Sequence, residues 1–267
     1  MLGLAFLVDV ATAGDWHRWR GPNGNGISDE TGWLAKWSDD GPTRLWKAKV
    51  GTGFSSSTVS DGRAYTMGNS GRGRGKEQDT VFCFDAATGK ELWRVGDLNH
   101  KDRYNRTLRF VASPVAHGDL VVIPTAKNRG VAAISVAGAK GYIGTGGKGE
   151  VWRIDRGTPD VPSPVIYNNL VYLCRENGTV TCLDGKTGEQ LYSESPHRQT
   201  YRASPVAGDG KIYITSRDGM VTVLQAGREF KVLSKNKLAG GLTASPAPSH
   251  GRIYLRTHEA LYAIGEK

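Results

Sequence analysis

Ala203-Ser204-Pro205-Val206-Ala207-Gly208-Asp209-Gly210-Lys211-Ile212-Tyr213-Ile214-Thr215-Ser216-Arg217-Asp218-Gly219-Met220-Val221-Thr222-Val223-Leu224 carries the fold in miniature. A Ser-Pro-Val phrase leads into the polar turn Gly208–Lys211. The run Ile212–Thr215 then alternates apolar and polar residues, as a strand with two unlike faces does. Asp218-Gly219 reads as a two-residue hairpin turn, because its central positions favour positive φ. A third strand, Val221–Leu224, follows.

The pattern recurs along the chain. Equivalent phrases stand at Ala112-Ser113-Pro114-Val115, Pro162-Ser163-Pro164-Val165 and Ala244-Ser245-Pro246-Ala247, with a weaker copy at Ser56-Ser57-Thr58-Val59. Successive copies are 56, 50, 41 and 41 residues apart, which is the period of a propeller blade. Third strands recur at Val81-Phe82-Cys83-Phe84, Val180-Thr181-Cys182-Leu183 and Leu261-Tyr262-Ala263-Ile264. Two of them run into Asp-x-x-Thr-Gly turns, Asp85–Gly89 and Asp184–Gly188, where the Asp carboxylate can accept backbone N–H groups and Gly can take the left-handed position. Fourth strands follow at Glu91-Leu92-Trp93-Arg94, Glu150-Val151-Trp152-Arg153 and Gln190-Leu191-Tyr192. The expectation is an all-β protein, a β-propeller of five four-stranded antiparallel blades. The last repeat lacks a fourth strand, and Arg44-Leu45-Trp46-Lys47-Ala48-Lys49-Val50 looks like a fourth strand without a blade. Pairing of this N-terminal strand with Leu261–Ile264 would close the ring and hide a sheet edge.

Composition agrees. The 267 residues include 36 Gly, which suits a chain made of tight turns and is far above what helices tolerate. The net charge of +9 permits anionic partners without specifying one. Residues 2–8 are an apolar run and Ala11-Thr12-Ala13 fits a small-x-small cleavage signal. Residues 1–13 therefore read as the remnant of a secretory leader, residues 14–267 as one propeller domain, and the location as periplasmic or secreted. No apolar run is long enough for a transmembrane helix.

The Ser-Pro-Val openings, the Asp-x-x-Thr-Gly turns, the Trp-bearing last strands and the segment Trp16-His17-Arg18-Trp19-Arg20-Gly21-Pro22-Asn23-Gly24 together resemble the quinoprotein-like (pyrroloquinoline-quinone-like) β-propeller repeats, over nearly the whole chain. Within them the chain is similar to the outer-membrane protein assembly factors. The resemblance implies a non-catalytic envelope scaffold that binds proteins. The alternative it implies is a pyrroloquinoline-quinone-dependent oxidoreductase or a small-ligand propeller. Many of the quinone enzymes that share this resemblance carry a vicinal disulfide, acidic calcium ligands and a Trp platform. Here no two cysteines are adjacent and the tryptophans fall in fourth strands or the N-terminal segment, so no cofactor is expected.

Residues just before each Ser-Pro-Val phrase lead into the innermost strands. Arg109, Phe110, Tyr201 and Arg202 are thus candidates for a binding site at the channel mouth, the arginines for an anionic or carbonyl-bearing partner. Cys83 and Cys182 hold equivalent positions and read as small core residues. A two-residue Asn177-Gly178 turn would put Cys174 and Cys182 on opposite faces, and a three-residue loop, Asn177–Thr179, would put them directly opposite; no disulfide is expected. The glycine-rich residues 141–149 lack the phosphate-loop spacing and lead into a strand, so they read as a turn. Arg72, Arg74 and Lys76 alternate with glycines as a basic run without interleaved aromatics, and nucleic acid is not an expected partner.

Overall fold

A computed structural model describes residues 14–16, 22, 27–28, 43–52, 57–69, 78–98, 111–127, 129–249 and 251–265. They form twenty strands and no helix. In chain order these are β1 (Thr58–Ser60), β2 (Arg63–Asn69), β3 (Asp79–Asp85), β4 (Glu91–Val95), β5 (Val115–His117), β6 (Leu120–Pro124), β7 (Val131–Ser135), β8 (Gly141–Ile143), β9 (Glu150–Ile154) and β10 (Val165–Tyr167). They continue with β11 (Leu170–Cys174), β12 (Val180–Asp184), β13 (Gln190–Glu194), β14 (Val206–Gly208), β15 (Lys211–Thr215), β16 (Met220–Gln225), β17 (Val232–Lys237), β18 (Ala247–Ser249), β19 (Arg252–Arg256) and β20 (Leu261–Ile264).

These strands make five antiparallel blades, and each Ser-Pro-Val phrase opens one of them. The blades are β1-β2-β3-β4, β5-β6-β7-β9, β10-β11-β12-β13, β14-β15-β16-β17 and β18-β19-β20. In the first, third and fourth blades the first and second strands are joined by two-residue turns with positive φ at both centres, Asp61-Gly62, Asn168-Asn169 and Asp209-Gly210, and in the second blade only Gly118 of Gly118-Asp119 is left-handed. Two left-handed centres give the twist a tight hairpin needs. Asp184 Oδ1 accepts the backbone N–H of Lys186 (2.9 Å) and Thr187 (3.1 Å), and Asp85 Oδ1 accepts that of Thr88 (2.8 Å), as the turn chemistry requires.

Apolar faces are buried between blades. Val122, Ala133 and Trp152 of the second blade pack on Val171, Leu173 and Leu183 of the third. Tyr172, Cys182 and Tyr192 of the third pack on Ile212, Ile214 and Leu224 of the fourth. The serines of the repeated phrase link the blades at their inner ends. Ser113 N–H donates to Ser163 Oγ, Ser163 N–H to Ser204 Oγ, and Ser204 N–H to Ser245 Oγ, each at 2.9 Å. This relay gives the serine of the phrase a structural task that sequence reading did not assign.

Four expectations need correction. First, residues 43–50 form no ladder with β20, and among the described residues the last blade has three strands. Leu261 and Ile264 of β20 are 69% and 47% exposed. Trp46 instead sits on the first blade, its Nε1 donating to Ala86 O at 3.0 Å. This matches Trp152, whose Nε1 donates to Gly185 O of the next blade at 2.8 Å. The Trp copy therefore encodes docking onto the following blade, and not pairing with the preceding one.

Second, the Asn177-Gly178 and Asp218-Gly219 loops have three residues. Arg175 N–H donates to Thr179 O and Ser216 N–H to Met220 O. Only the Gly of each pair has positive φ, 86° at Gly178 and 93° at Gly219. One left-handed residue fits a type I turn with a bulge and not the mirror-image turn. Third, Cys174 therefore faces Val180, and Tyr172 faces Cys182. The two cysteines share one face, two residues out of register, and all three cysteines are free thiols. Fourth, the glycine-rich residues 141–149 begin with β8, a fifth strand running parallel to β4 with Gly141 opposite Trp93. Residues 1–13, Arg72, Arg74 and Lys76 lie outside the described residues.

Candidate functional site

Turns between first and second strands, and between third and fourth, share one face of the ring. Loops between second and third strands, with the connectors between blades, share the other. The candidate site is on this second face, formed by the third blade and the connector that leads from it to the fourth.

Its scaffold is a set of backbone bonds. Tyr201 N–H donates to Glu176 O at 3.0 Å and Arg217 N–H to Thr200 O at 2.8 Å. These tie the connector 195–202 to the β11–β12 loop on one side and to the β15–β16 loop on the other. Gly178 must be glycine here, since a Cβ would collide with the His197 carbonyl and the Tyr201 ring. Tyr201 is fully buried, and its hydroxyl donates to His197 O at 3.2 Å. Burial pushes its phenol above the usual range.

Beside this frame lies a cleft of about 600 Å³, lined by Glu176, Thr179, Ser195, Arg198, Gln199 and Thr200 among others. Thr179 Oγ1 and Ser195 Oγ are 3.1 Å apart on its wall. Glu176 is 15% exposed; its Oε1 meets Lys127 Nζ of the second blade at 2.9 Å. Its Oε2 is buried without a hydrogen-bond partner. Arg198 is exposed with no ion pair among the described residues. Next to the cleft, Asp218 receives Lys237 Nζ at 2.8 Å, the Ser216 hydroxyl and His197 Nε2 at 3.1 Å. Burial works against charge on Asp218, but these three bonds outweigh it and hold the carboxyl well below the carboxylate range.

The sequence-derived channel-mouth residues divide. Arg109 and Phe110 lie outside the described residues. Arg202 reaches Asp160 of the neighbouring connector at 2.7 Å and is neutralised there. Tyr201 stands at the site but faces inward, as part of its frame. Glu176 and Arg198 were not singled out. The signal was present: Glu176 follows the apolar run Leu170–Cys174 and opens a loop whose Gly must turn left-handed.

A quinone with its metal does not fit the described residues. Among them no three His, Cys, Asp or Glu side chains converge on a point that could hold a metal ion. Trp46 and Trp152 are committed to neighbouring blades, and Trp93 is buried in the core between the first two.

The pKa shifts predict an acid-labile joint. The Arg228 guanidinium, from the fourth blade, holds the Asp184 carboxyl down at about 2, helped by the N–H groups of its turn. A carboxyl lowered on folding contributes stability above its unfolded value, near 3.9, and loses it as pH falls through the folded one. The urea midpoint should therefore drop between pH 4 and pH 2, and Asp184→Asn should flatten that drop while lowering the midpoint at pH 7.

Among the described residues no helix is long and apolar enough to cross a membrane. No curated protein matches the chain. Among solved structures, BamB from Moraxella catarrhalis aligns with TM-score 0.51 and 12% identity, over 78% of this chain and 66% of that one. The computationally designed Ika8 protein aligns with TM-score 0.52 and 14% identity, over 79% of this chain and 70% of its own. A quinohemoprotein alcohol dehydrogenase from Pseudomonas putida aligns with TM-score 0.43 and 14% identity, over 57% of this chain and 29% of its own. The first two show the propeller fold, and the chain spans just under two thirds of the BamB chain. The sequence model of one family, described as outer membrane protein assembly factor BamB, matches residues 28–267, so the chain belongs to that family.

Proposed function

We propose that this chain is a non-catalytic scaffold of the cell envelope that binds other proteins through the loops of one propeller face. The observation that carries the reading is the match to an assembly-factor family across residues 28–267. The physical design supports it. Inter-blade cores and the serine relay hold the loops still, and a pre-ordered surface loses little entropy on binding. The leader-like residues 1–13 support an envelope location.

The test is isolation of the tagged chain from an envelope fraction, with residue-level cross-linking. The expected result is a stoichiometric protein partner cross-linked to the loop face. Binding of pyrroloquinoline quinone with calcium in stoichiometric amount, together with dye-linked alcohol oxidation, would overturn the reading.

A further inference from the structure

We propose that the fifth blade of one copy of this chain receives residues 44–50 of a second copy as its fourth strand, so that copies assemble head to tail. The assembly does not depend on the scaffold role.

Both halves of this contact are present on the chain as unfinished blade packing. The first half is the fifth blade. In the other four blades the third strand carries a valine that is almost fully buried: Val81, Val131, Val180 and Val221 are each 4% exposed or less. Leu261 holds that position in the fifth blade and is 69% exposed. Two residues on, Cys83, Ala133 and Cys182 lie opposite the fourth-strand aromatics Trp93, Trp152 and Tyr192 and are fully buried. Ala263 is the equivalent small residue, and it is exposed, with no fourth strand against it among the described residues.

The second half is the segment around Trp46. Its indole docks on the first blade as the Trp152 indole docks on the third. Each Nε1 donates to the carbonyl of the residue after the turn aspartate, and a Cβ on Gly89 or Gly188 would lie 2.6 Å from the Cγ of its tryptophan. Yet Trp46 is 36% exposed and Trp152 only 7%. Trp152 has a third strand of its own blade beside it, with Ala133 opposite, and residues 44–50 belong to no sheet.

A sheet edge and a strand without a sheet complement each other. Apart, they leave backbone groups without ladder partners and apolar side chains in water. No ladder joins them within one copy, so each copy offers one of each to its neighbours. The register of the other blades sets Trp46 opposite Ala263, Lys47 opposite Tyr262 and Ala48 opposite Leu261. Leu261 is then covered, and Trp46 gains the backing that Ala133 gives Trp152. A strand of an unrelated protein would satisfy the backbone edge equally. Only residues 44–50 arrive already seated on a blade, through the Trp46 bond to Ala86 and the Trp46 ring against Phe84, so inter-blade packing continues across the joint. The two patches differ, which makes the contact heterologous, and assembly runs on into a ring or a filament instead of stopping at a two-fold dimer.

The experiment follows the whole chain by light scattering over a concentration series. The mass should rise above that of one chain. Leu261→Asp, a change at an exposed side chain, should move the rise to a concentration on the order of tenfold higher or more, because a charge on an edge strand opposes pairing. Lys186→Asp, in an exposed turn of the third blade, should leave it in place. A short bismaleimide then reads the register. Chains with Ala48→Cys are mixed with chains with Leu261→Cys; the native cysteines are buried free thiols and do not compete. The mixture should give a two-chain product, and neither variant alone should. Urea midpoints identify any variant that has lost the fold, and Leu261→Ser then replaces the charged change.

A chain that stays single at every concentration overturns the proposal. So does an equal effect of Lys186→Asp, which would reduce the association to overall charge. A chain carrying both cysteines that cross-links only within itself would mean that the ring closes on its own strand. Leu261→Cys that cross-links to its own kind, without the mixture doing so, would mean a two-fold contact. Either result removes the head-to-tail assembly.

Discussion

Replacing Trp152 with alanine is expected to lower stability by about 3–5 kcal/mol, the cost of deleting a large buried aromatic. The indole belongs to the second blade but spends its surface on the third. It is 7% exposed, it packs with Val171, Leu173 and Leu183, and its N–H ends on Gly185 O. The mutant loses apolar burial and leaves a buried carbonyl without its donor, and two blades lose their joint. Gly188 reports the same contact from the other side. It sits at φ 72°, and a Cβ on it would lie 2.6 Å from Trp152 Cγ. Gly188→Ala should therefore destabilise both by its left-handed backbone and by the clash. In the Trp152→Ala background only the backbone cost remains, so the double mutant should lose less than the two singles predict. Urea unfolding of all four proteins measures that coupling. Strict additivity would show that Trp152 and Gly188 do not meet. Trp46→Ala makes the internal control: its indole is 36% exposed, so its loss should be clearly smaller.

The blade count and most of the strand register were legible because they are written locally. A Ser-Pro-Val phrase, a pair of residues that tolerate positive φ and an alternating run state their own conformation wherever they occur. What was not legible depends on which blade a residue meets. Asn177-Gly178 is compatible with two turn types by sequence. The choice falls to the one that sets Tyr172 opposite Cys182, so that both side chains reach the core against the fourth blade. Strand β8 has three residues and a parallel partner 48 positions earlier, Trp93 with Gly141, and no periodicity announces such a pairing. The fourth strand Val232–Lys237 lacks the aromatic of its relatives; Phe230, just before it, supplies the ring that meets Tyr192 at 5.4 Å.

The closing strand shows how a repeat can mislead. The likeness of Trp46 to Trp93 and Trp152 was real, and Trp46 does what Trp152 does to the blade that follows it. Pairing with the preceding blade is a separate property. It needs two backbones in register, and a side-chain pattern cannot supply that. The same distinction holds at the site. Residues 201 and 202, just before the Ser-Pro-Val phrase, lie in the connector of the loop face. Their position says nothing of which way each side chain turns, which the bonds of Tyr201 to His197 and of Arg202 to Asp160 decide.

Tyr201 makes that difference measurable. As a ligand-facing residue it could be cut to alanine with loss of binding and little loss of fold. As a frame residue, fully buried and wedged against Gly178, it should cost about 3–5 kcal/mol when truncated. Tyr201→Phe keeps the ring and removes only the hydroxyl bond to His197 O, so it should cost about 0.5–1.5 kcal/mol. The two substitutions should therefore differ severalfold in stability. They should also differ in binding, because the phenylalanine still holds the connector and with it Arg198 and Thr200. Tyr201→Phe should retain the partner cross-linked to the loop face almost as the unaltered chain does, while Tyr201→Ala should retain it weakly wherever its connector has come loose. An alanine variant with an unchanged urea midpoint and no binding would return Tyr201 to the ligand. The cleft would then have to be redrawn around an aromatic wall.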